Sequence, residues 1–219
     1  MSASIAHEVN QPLTAAVTSA SACLRWLDAQ KLEEARRSAL RVIAEGHRAS
    51  EIIGRIRSLA KKAPAQKDWL DVNETIHEVI ALVRSEIQRN NVALEIQLSE
   101  QVPVILADRV QLQQVILNLM MNAIEAMSGL SEGPRGLLVR SGSDESKHVV
   151  ISVQDSGPGF DAESLEHLFD AFYTTKLQGL GMGLAISRSI VEGHGGRLWA
   201  TANAPRGAVF QFRLPVTSQ

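Results

Sequence analysis

Four groups of residues have types and spacings that can do chemistry. The first is His7, in the stretch SIAHEVNQPL. Ile5, Val9, Leu13, Ala16, Ala20, Leu24 and Leu27 recur at gaps of four and three, the seam of a packed helix. At about 100° per residue His7 points away from Ile5 and Val9, so its imidazole faces outward, with Glu8 beside it and Gln11 one turn along. An outward imidazole beside Glu8 can be reached by another part of the chain or by a partner.

The second group is Asn118 and Asn122, on a helix expected from Asp108 to Met127. Leu112, Val115, Ile116, Leu119, Ala123 and Met127 form its apolar face, and Gln111, Gln114, Asn118, Asn122 and Glu125 line the other side. Two amide oxygens four residues apart can hold a hydrated Mg²⁺ and, through it, a polyphosphate. Taken alone, such a pair is more often two solvated asparagines. The third group is Asp155, which alternation puts on one face with Val149, Ile151 and Val153, just before SGPGF. A carboxylate at the end of an apolar row needs a partner, and Gly157 and Gly159 let a ligand approach the backbone. The exocyclic amino group of adenine would suit it; a surface turn favours the same residues. The fourth is GLGMG, containing Gly179, Gly181 and Gly183, which opens a helix LAISRSIVEGHGG. Glycines ahead of a helix N-terminus free its amides to bind phosphate, and would serve a mobile flap equally well. Between these loops Phe169 and Phe172 can pack as hinges, and Tyr173 to Lys176 begin a polar lid. Lys176 can neutralise phosphate or simply be solvated. His194 reads as a helix-end residue beside a glycine cap. His47, His77, His148 and His167 lack metal-ligand spacing.

These groups need two kinds of support. From Ser2 to about Asp28 the pattern is helical, with a bend expected at Pro12. After a polar turn, a second helix is expected from Leu32 to about Lys61. It keeps Leu32, Ala35, Ala39, Val42, Gly46, Ala49, Ile53, Ile56 and Ala60 at gaps of three and four. A two-helix hairpin cannot cover both seams, so either a second copy completes a four-helix bundle or the hairpin packs on the following domain; the small seam residues favour the dimer. KKAPAQK, with Pro64, reads as a linker. Beyond it, Asn73 is expected to cap a helix to about Asn90. Strands follow at Val92–Leu98 and Val104–Leu106, then the helix from Asp108. Strands at Leu137–Ser141 and Val149–Asp155, a short helix at Leu165–Phe169 and a helix at Met182–Glu192 come next, and strands at Arg197–Thr201 and Val209–Leu214 close the chain. This mixture predicts a two-layer α/β sandwich.

Composition narrows the field. The 219 residues, 45% of them hydrophobic, can build a real core, which excludes wholesale disorder. A net charge of −2 argues against a dedicated nucleic-acid binder. The single cysteine, Cys23, cannot form an internal disulfide and fits a reducing, cytoplasmic setting. No apolar run nears the roughly 20 residues of a membrane span, so no membrane contact is expected of this segment. Because His7 lies so close to Met1, a fragment lacking an upstream helix and input domain is compatible with the sequence.

Taken together, the set closely resembles the transmitter core of the sensor histidine kinases of two-component systems, in box order and over nearly the whole chain. His7 and Glu8 through Pro12 match the H box, and Asn118 and Asn122 the N box. Asp155, Gly157 and Gly159 match the first glycine box, Phe169 and Phe172 the F box, and Gly179, Gly181 and Gly183 the second glycine box. HEVNQPL, FYTTK and GMGLAISRSIVEGHGGRLWA look most like the subgroup with oxygen- and nitrogen-responsive members. The resemblance implies a dimerisation and histidine-phosphotransfer hairpin, residues 1–63, acting as a four-helix bundle in a homodimer. It implies that residues 64–219 form an ATP-binding α/β sandwich of the histidine kinase/Hsp90-like type. His7 would accept the γ-phosphoryl group of ATP and pass it to an aspartate of a response-regulator receiver domain, with Glu8 fixing the imidazole tautomer and assisting as base. Asn118 and Asn122 would bind Mg²⁺ and phosphates, and Asp155 would read adenine. Gly157, Gly159, Gly179, Gly181, Gly183 and Leu184 would line the nucleotide, with Lys176 as charge support. Gln11 stands where the family orients water for dephosphorylating the regulator, although many members carry Thr or Asn there. Two alternatives are a conformational ATP-binding dimer without phosphohistidine, and a protein acting chiefly as a phosphatase on its regulator.

Overall fold

The computed structural model describes residues 2–43, 45–46, 67–130, 133–146, 148–174 and 181–216, with side chains from Thr14 onward except at 162–163. The chain divides into two compact units, Met1–Ala63 and Pro64–Gln219.

In the first unit, α1 (Ser2–Asp28) is helical on both sides of Pro12. It ends in a turn in which Gln30 takes a left-handed φ of 56°. Lys31 N–H returns to Trp26 O at 2.8 Å and Gln30 N–H to Leu27 O at 2.9 Å, the two reverse bonds of a Schellman closure. Residues 32–43 form α2. Ala35 and Ser38 are buried, and the Cys23 Sγ donates to Ala35 O at 3.2 Å. Of the expected seam, Leu24, Leu27 and Leu32 are 63%, 46% and 69% exposed in this single chain, where no second copy covers them. Val17, Leu40 and Ile43 are likewise exposed. The rest of the expected second helix and the linker up to residue 66 lie outside the described residues.

The second unit is organised by a five-stranded sheet in the order β2-β4-β5-β7-β6. It is built from β2 (Ala93–Leu98), β4 (Gly136–Ser143), β5 (His148–Asp155), β6 (Arg197–Ala202) and β7 (Ala208–Pro215). β2 and β4 run parallel and the other neighbours antiparallel. Against it pack α3 (Val72–Arg89), α4 (Arg109–Ser128) and α6 (Gly183–Gly193), which completes the two-layer α/β sandwich. A short α5 (Ala162–His167) follows β5. β1 (Asp68–Leu70) and β3 (Ile105–Ala107) form a separate antiparallel pair.

Local sequence explains where these elements start and stop. α3 buries Val72, Ile76, Val79, Val83 and Ile87 on one stripe. Its cap is Asp71, whose carboxylate accepts from Asn73 N–H at 2.7 Å and Glu74 N–H at 3.4 Å, rather than Asn73 as expected. The Asn73 side chain instead joins the helix to the sheet, donating to Ser99 O at 2.9 Å and accepting from the Ser141 hydroxyl at 2.6 Å. α4 buries Leu112, Val115, Ile116, Leu119, Met120, Ala123, Ile124 and Met127, the expected face broadened by two residues. Each large side chain here contributes about 1.5–3 kcal/mol of burial, which makes α4 the spine of the unit. Arg109 forms ion pairs with Glu74 at 2.8 Å and Glu78 at 2.7 Å. These exposed pairs add little stability but set the register of α3 on α4. α5 begins earlier than expected because Asp161 caps it, accepting from Ser164 N–H at 2.7 Å. α6 ends in another Schellman closure, with Gly196 N–H on Val191 O and Gly195 N–H on Glu192 O, both at 2.9 Å.

Candidate functional site

β5 delivers Asp155 to the end of the sheet, and the carboxylate is only 3% exposed. Its Oδ1 accepts from Gly157 N–H at 2.8 Å and Ala208 N–H at 3.3 Å. Among the described residues Oδ2 has no hydrogen-bond partner, so one acceptor points at whatever fills the site. Removal from water pushes the Asp155 carboxyl above the usual carboxylate range, and the two N–H donors pull the other way. Asn203 braces the main chain, donating from Nδ2 to Asp155 O at 2.9 Å. The loop after β5 and the β6–β7 turn approach so closely that side chains are excluded at the crossing. Gly207 has φ of 110°, and a Cβ there would land on the carbonyl oxygen of Asp155. Gly159 has φ of 77°, and its Cβ would lie 2.8 Å from Gly207 O.

α4 runs beneath this loop. A Cβ on Gly157 would lie 3.3 Å from the Cβ of Ala126, one turn beyond Asn122. Further back along α4, Asn118 meets the start of α6: its Nδ2 donates to the Ser187 hydroxyl at 3.0 Å, and its Oδ1 occupies the space a Gly183 side chain would need. From Asn118 to Ala126 the helix surface extends about 12 Å, with Asp155 near one end and the N-terminus of α6 near the other. Met182, the α6 cap, makes no side-chain capping bond. The N–H groups of Gly183, Leu184 and Ala185 have no acceptor among the described residues, which leaves the positive end of the helix dipole open. Leu184 packs its side chain against the core.

The approach to α6 is fixed by Phe172 N–H on Gly181 O at 3.0 Å, with Phe172 itself at φ of 73°. Phe169 packs on the core, and the guanidinium of Arg188 lies 5.9 Å from its ring centroid. At the far end of α6, His194 is buried. Its Nε2 accepts from Asp108 N–H at 3.0 Å and its Nδ1 lies 2.8 Å from Ile190 O, an arrangement that fits the neutral Nδ1–H tautomer. His194 is the expected helix-end residue, and it also pins α6 to the start of α4.

The structure therefore brings together Asp155, Gly157, Gly159, Asn118, Asn122, Gly181, Gly183 and Leu184. Lys176 and Gly179 lie outside the described residues, as do the side chains of His7, Glu8 and Gln11, whose backbone belongs to α1. Sequence reasoning missed Ser187, Asn203 and Gly207. Ser187 carried a signal: a hydroxyl standing on the apolar stripe of α6 beside Ile186, Ile190 and Val191.

The donor set suits a magnesium–polyphosphate. Asn118 Oδ1 is a hard oxygen beside the open end of α6, with Asn122 one turn along. No cluster of three or more His, Cys, Asp or Glu side chains that could cage a metal exists among the described residues. Mg²⁺ bound with phosphate needs few protein ligands because it retains waters.

Comparison with known proteins gives concordant matches. The family model for histidine kinase-, DNA gyrase B-, and HSP90-like ATPases matches residues 107–218, and that for the His Kinase A (phospho-acceptor) domain matches residues 1–64. Sensor histidine kinase TmoS of Ectopseudomonas mendocina is 38% identical over 216 residues, covering 97% of this chain and 22% of that protein. Sensor protein FixL of Bradyrhizobium diazoefficiens is 37% identical over 225 residues, covering 100% of this chain and 44% of that one. The chain thus spans less than half the length of these relatives. Among solved structures, histidine kinase ThkA in complex with response regulator protein TrrA aligns with a TM-score of 0.75 at 27% identity, over 99% of this chain and 61% of that one.

Proposed function

The chain belongs to the sensor histidine kinases, and from that premise we propose that it is an ATP-dependent protein-histidine kinase that phosphorylates His7 and passes the phosphoryl group to an aspartate of a response-regulator receiver domain. The observation that carries this reading is the site along α4, with a buried carboxylate holding one acceptor open at one end and, at the other, a helix N-terminus beside Asn118 whose first N–H groups have no acceptor among the described residues. A purine amino group belongs at Asp155 Oδ2, and polyphosphate belongs at the N–H groups of Gly183 and Leu184. Asn118 and Asn122 would hold Mg²⁺, which when bound supplies charge neutralisation on the phosphates. Gly157 and Gly159 shape the purine end. Gly181 precedes the α6 N-terminus, and Gly179 and Lys176 would contribute to phosphate binding, as the family resemblance implies.

Residues 1–63 present His7 and residues 64–219 present ATP. In the transfer, the Nε2 lone pair of His7 forms the P–N bond as the bond from the γ-phosphorus to the β–γ bridging oxygen breaks, and ADP leaves. Glu8 would hold the other ring nitrogen in its N–H form, which would make Nε2 the nucleophile. Most of the catalysis is positioning and charge neutralisation. The regulator's aspartate then takes the phosphoryl group and regenerates neutral imidazole. A homodimer is supported by the apolar residues left open on the hairpin, Val17, Leu24, Leu27, Leu32, Leu40 and Ile43, since a second copy would cover them in a four-helix bundle. No described helix is long and apolar enough to cross a membrane, in keeping with a cytoplasmic transmitter segment.

Incubation with γ-labelled ATP and Mg²⁺ is expected to give an acid-labile, alkali-stable phosphoprotein. Equal labelling of a His7→Ala variant would overturn the assignment. A nucleotide-dependent conformational change with no phosphohistidine would favour the conformational ATP-binding dimer. Net dephosphorylation of the regulator, lost in Gln11→Ala, would favour a mainly phosphatase function.

A further inference from the structure

We propose that Ser187 is a positioning residue that anchors the Asn118 amide at the start of α6, with its oxygen held towards the nucleotide phosphates. The proposal rests on the nucleotide-site reading above and concerns one hydrogen bond within it. Ser187 is 1% exposed, so its hydroxyl cannot exchange partners with solvent. It lies one turn into α6 from Gly183, and Asn118 reaches both residues at once: Nδ2 donates to Ser187 Oγ at 3.0 Å while Oδ1 lies against the α-carbon of Gly183. An asparagine amide has two nearly isosteric ends, one donating and one accepting, and shape alone does not select between them. The dipole of α6 does: its positive end, at Gly183, attracts the carbonyl oxygen and repels the amide N–H groups. The Ser187 hydroxyl, one turn inside, then holds the amide in that orientation by accepting from the NH₂ at 3.0 Å.

The consequence is chemical. With Nδ2 tied back, Oδ1 is the end available to a hard cation and its phosphates; with the amide reversed, an NH₂ group would stand there and Mg²⁺ would lose a ligand. The glycine at 183 and the serine at 187 work as a pair, the first making room for the oxygen and the second holding the nitrogen. A second tie, from His194 Nε2 to Asp108 N–H, fixes α6 to the other end of the same stretch of α4, so the two helices cannot slide and release Asn118.

The test is calorimetric titration of the full chain with a non-hydrolysable ATP analogue, in Mg²⁺ and in EDTA, for wild type and Ser187→Ala. Alanine removes one oxygen and favours helix, so folding should be retained. Loss of one net hydrogen bond predicts that the gain in affinity brought by Mg²⁺ falls about fivefold in the variant, with the EDTA affinity unchanged. The side-chain amide resonances of Asn118, read by NMR without metal or nucleotide, should be protected from exchange in wild type and unprotected in Ser187→Ala. An undiminished Mg²⁺ gain in the variant, equal losses in both buffers, or an unprotected wild-type amide would overturn the positioning role. If wild type binds the analogue with no Mg²⁺ gain, the role falls while nucleotide binding stands. If wild type does not bind at all, the nucleotide-site reading falls and takes the proposal with it.

Discussion

In an Asp155→Asn variant the side-chain oxygen can keep the two N–H donors that Oδ1 now holds at 2.8 and 3.3 Å, while an NH₂ group replaces Oδ2. Stability and binding should then move in opposite directions. Burial raises the folded pKa of Asp155 above that of an unfolded aspartate, about 3.9. Its favourable contribution to folding is therefore fully present below the unfolded pKa and is lost as pH rises through the folded value. The neutral amide does not titrate, so at pH 7 the nucleotide-free variant should unfold at the same or higher urea concentration than wild type, and that advantage should vanish below about pH 4. For the nucleotide the outcome reverses, because an adenine amino group would meet a second donor. A lost hydrogen bond to a charged acceptor costs about 1.5–3 kcal/mol and an unsatisfied buried donor about 1–3 kcal/mol. Together they predict at least about 2.5 kcal/mol, or ~70-fold weaker ATP binding by calorimetry. The variant's NH₂ complements a purine O6, so inosine triphosphate should weaken far less. ATP binding within about threefold of wild type, less than 1 kcal/mol, would refute the placement of adenine at Asp155.

Other perturbations give distinct readouts. ATP affinity should fall as pH is lowered through the raised folded pKa of Asp155, since protonation converts Oδ2 into a donor; titrations across that range in Asp155→Asn should be flat. Gly207→Ala forces a side chain into φ of 110° and onto the Asp155 carbonyl; a loss of about 3 kcal/mol or more is expected in urea unfolding. Gly183→Ala should leave the unfolding midpoint nearly unchanged but displace Asn118 Oδ1, weakening Mg²⁺-dependent nucleotide binding about tenfold. His194→Ala removes the imidazole acceptor that Asp108 N–H uses at the start of α4 and should cost about 1 kcal/mol of stability.

Much of this was legible because the chemistry-bearing residues announce themselves locally. Asp155 ends a strand whose alternation is plain, Asn118 and Asn122 share a helix face, and Gly181 and Gly183 lead into a strongly periodic helix. What escaped depends on partners distant in the chain. Ser187 acquires meaning only when α6 lies on α4 and meets Asn118, 69 residues away. Asn203 and Gly207 belong to the site only because β7 pairs with β5 and brings their turn against Asp155. β1, three residues long, is too short to show a period. At the start of α3 two good capping residues stand close together, and the competition went to Asp71 because Asn73 is recruited by Ser99 and Ser141 across the sheet. On the hairpin, the apolar period was readable from sequence, but whether each position closes on its own chain or faces outward depends on the helix pairing. That is why Ala35 is buried while Leu24 and Leu32 are open.

The most direct measurement is mass spectrometry of the intact chain after incubation with ATP and Mg²⁺, kept at neutral to alkaline pH, with the modified residue located by fragmentation. A single phosphoryl group on His7, lost in acid and absent from Asp155→Asn, is the expected result. A phosphoryl group on another residue, or undiminished phosphorylation of His7 in Asp155→Asn, would contradict the claim that the Asp155-centred site supplies ATP to His7.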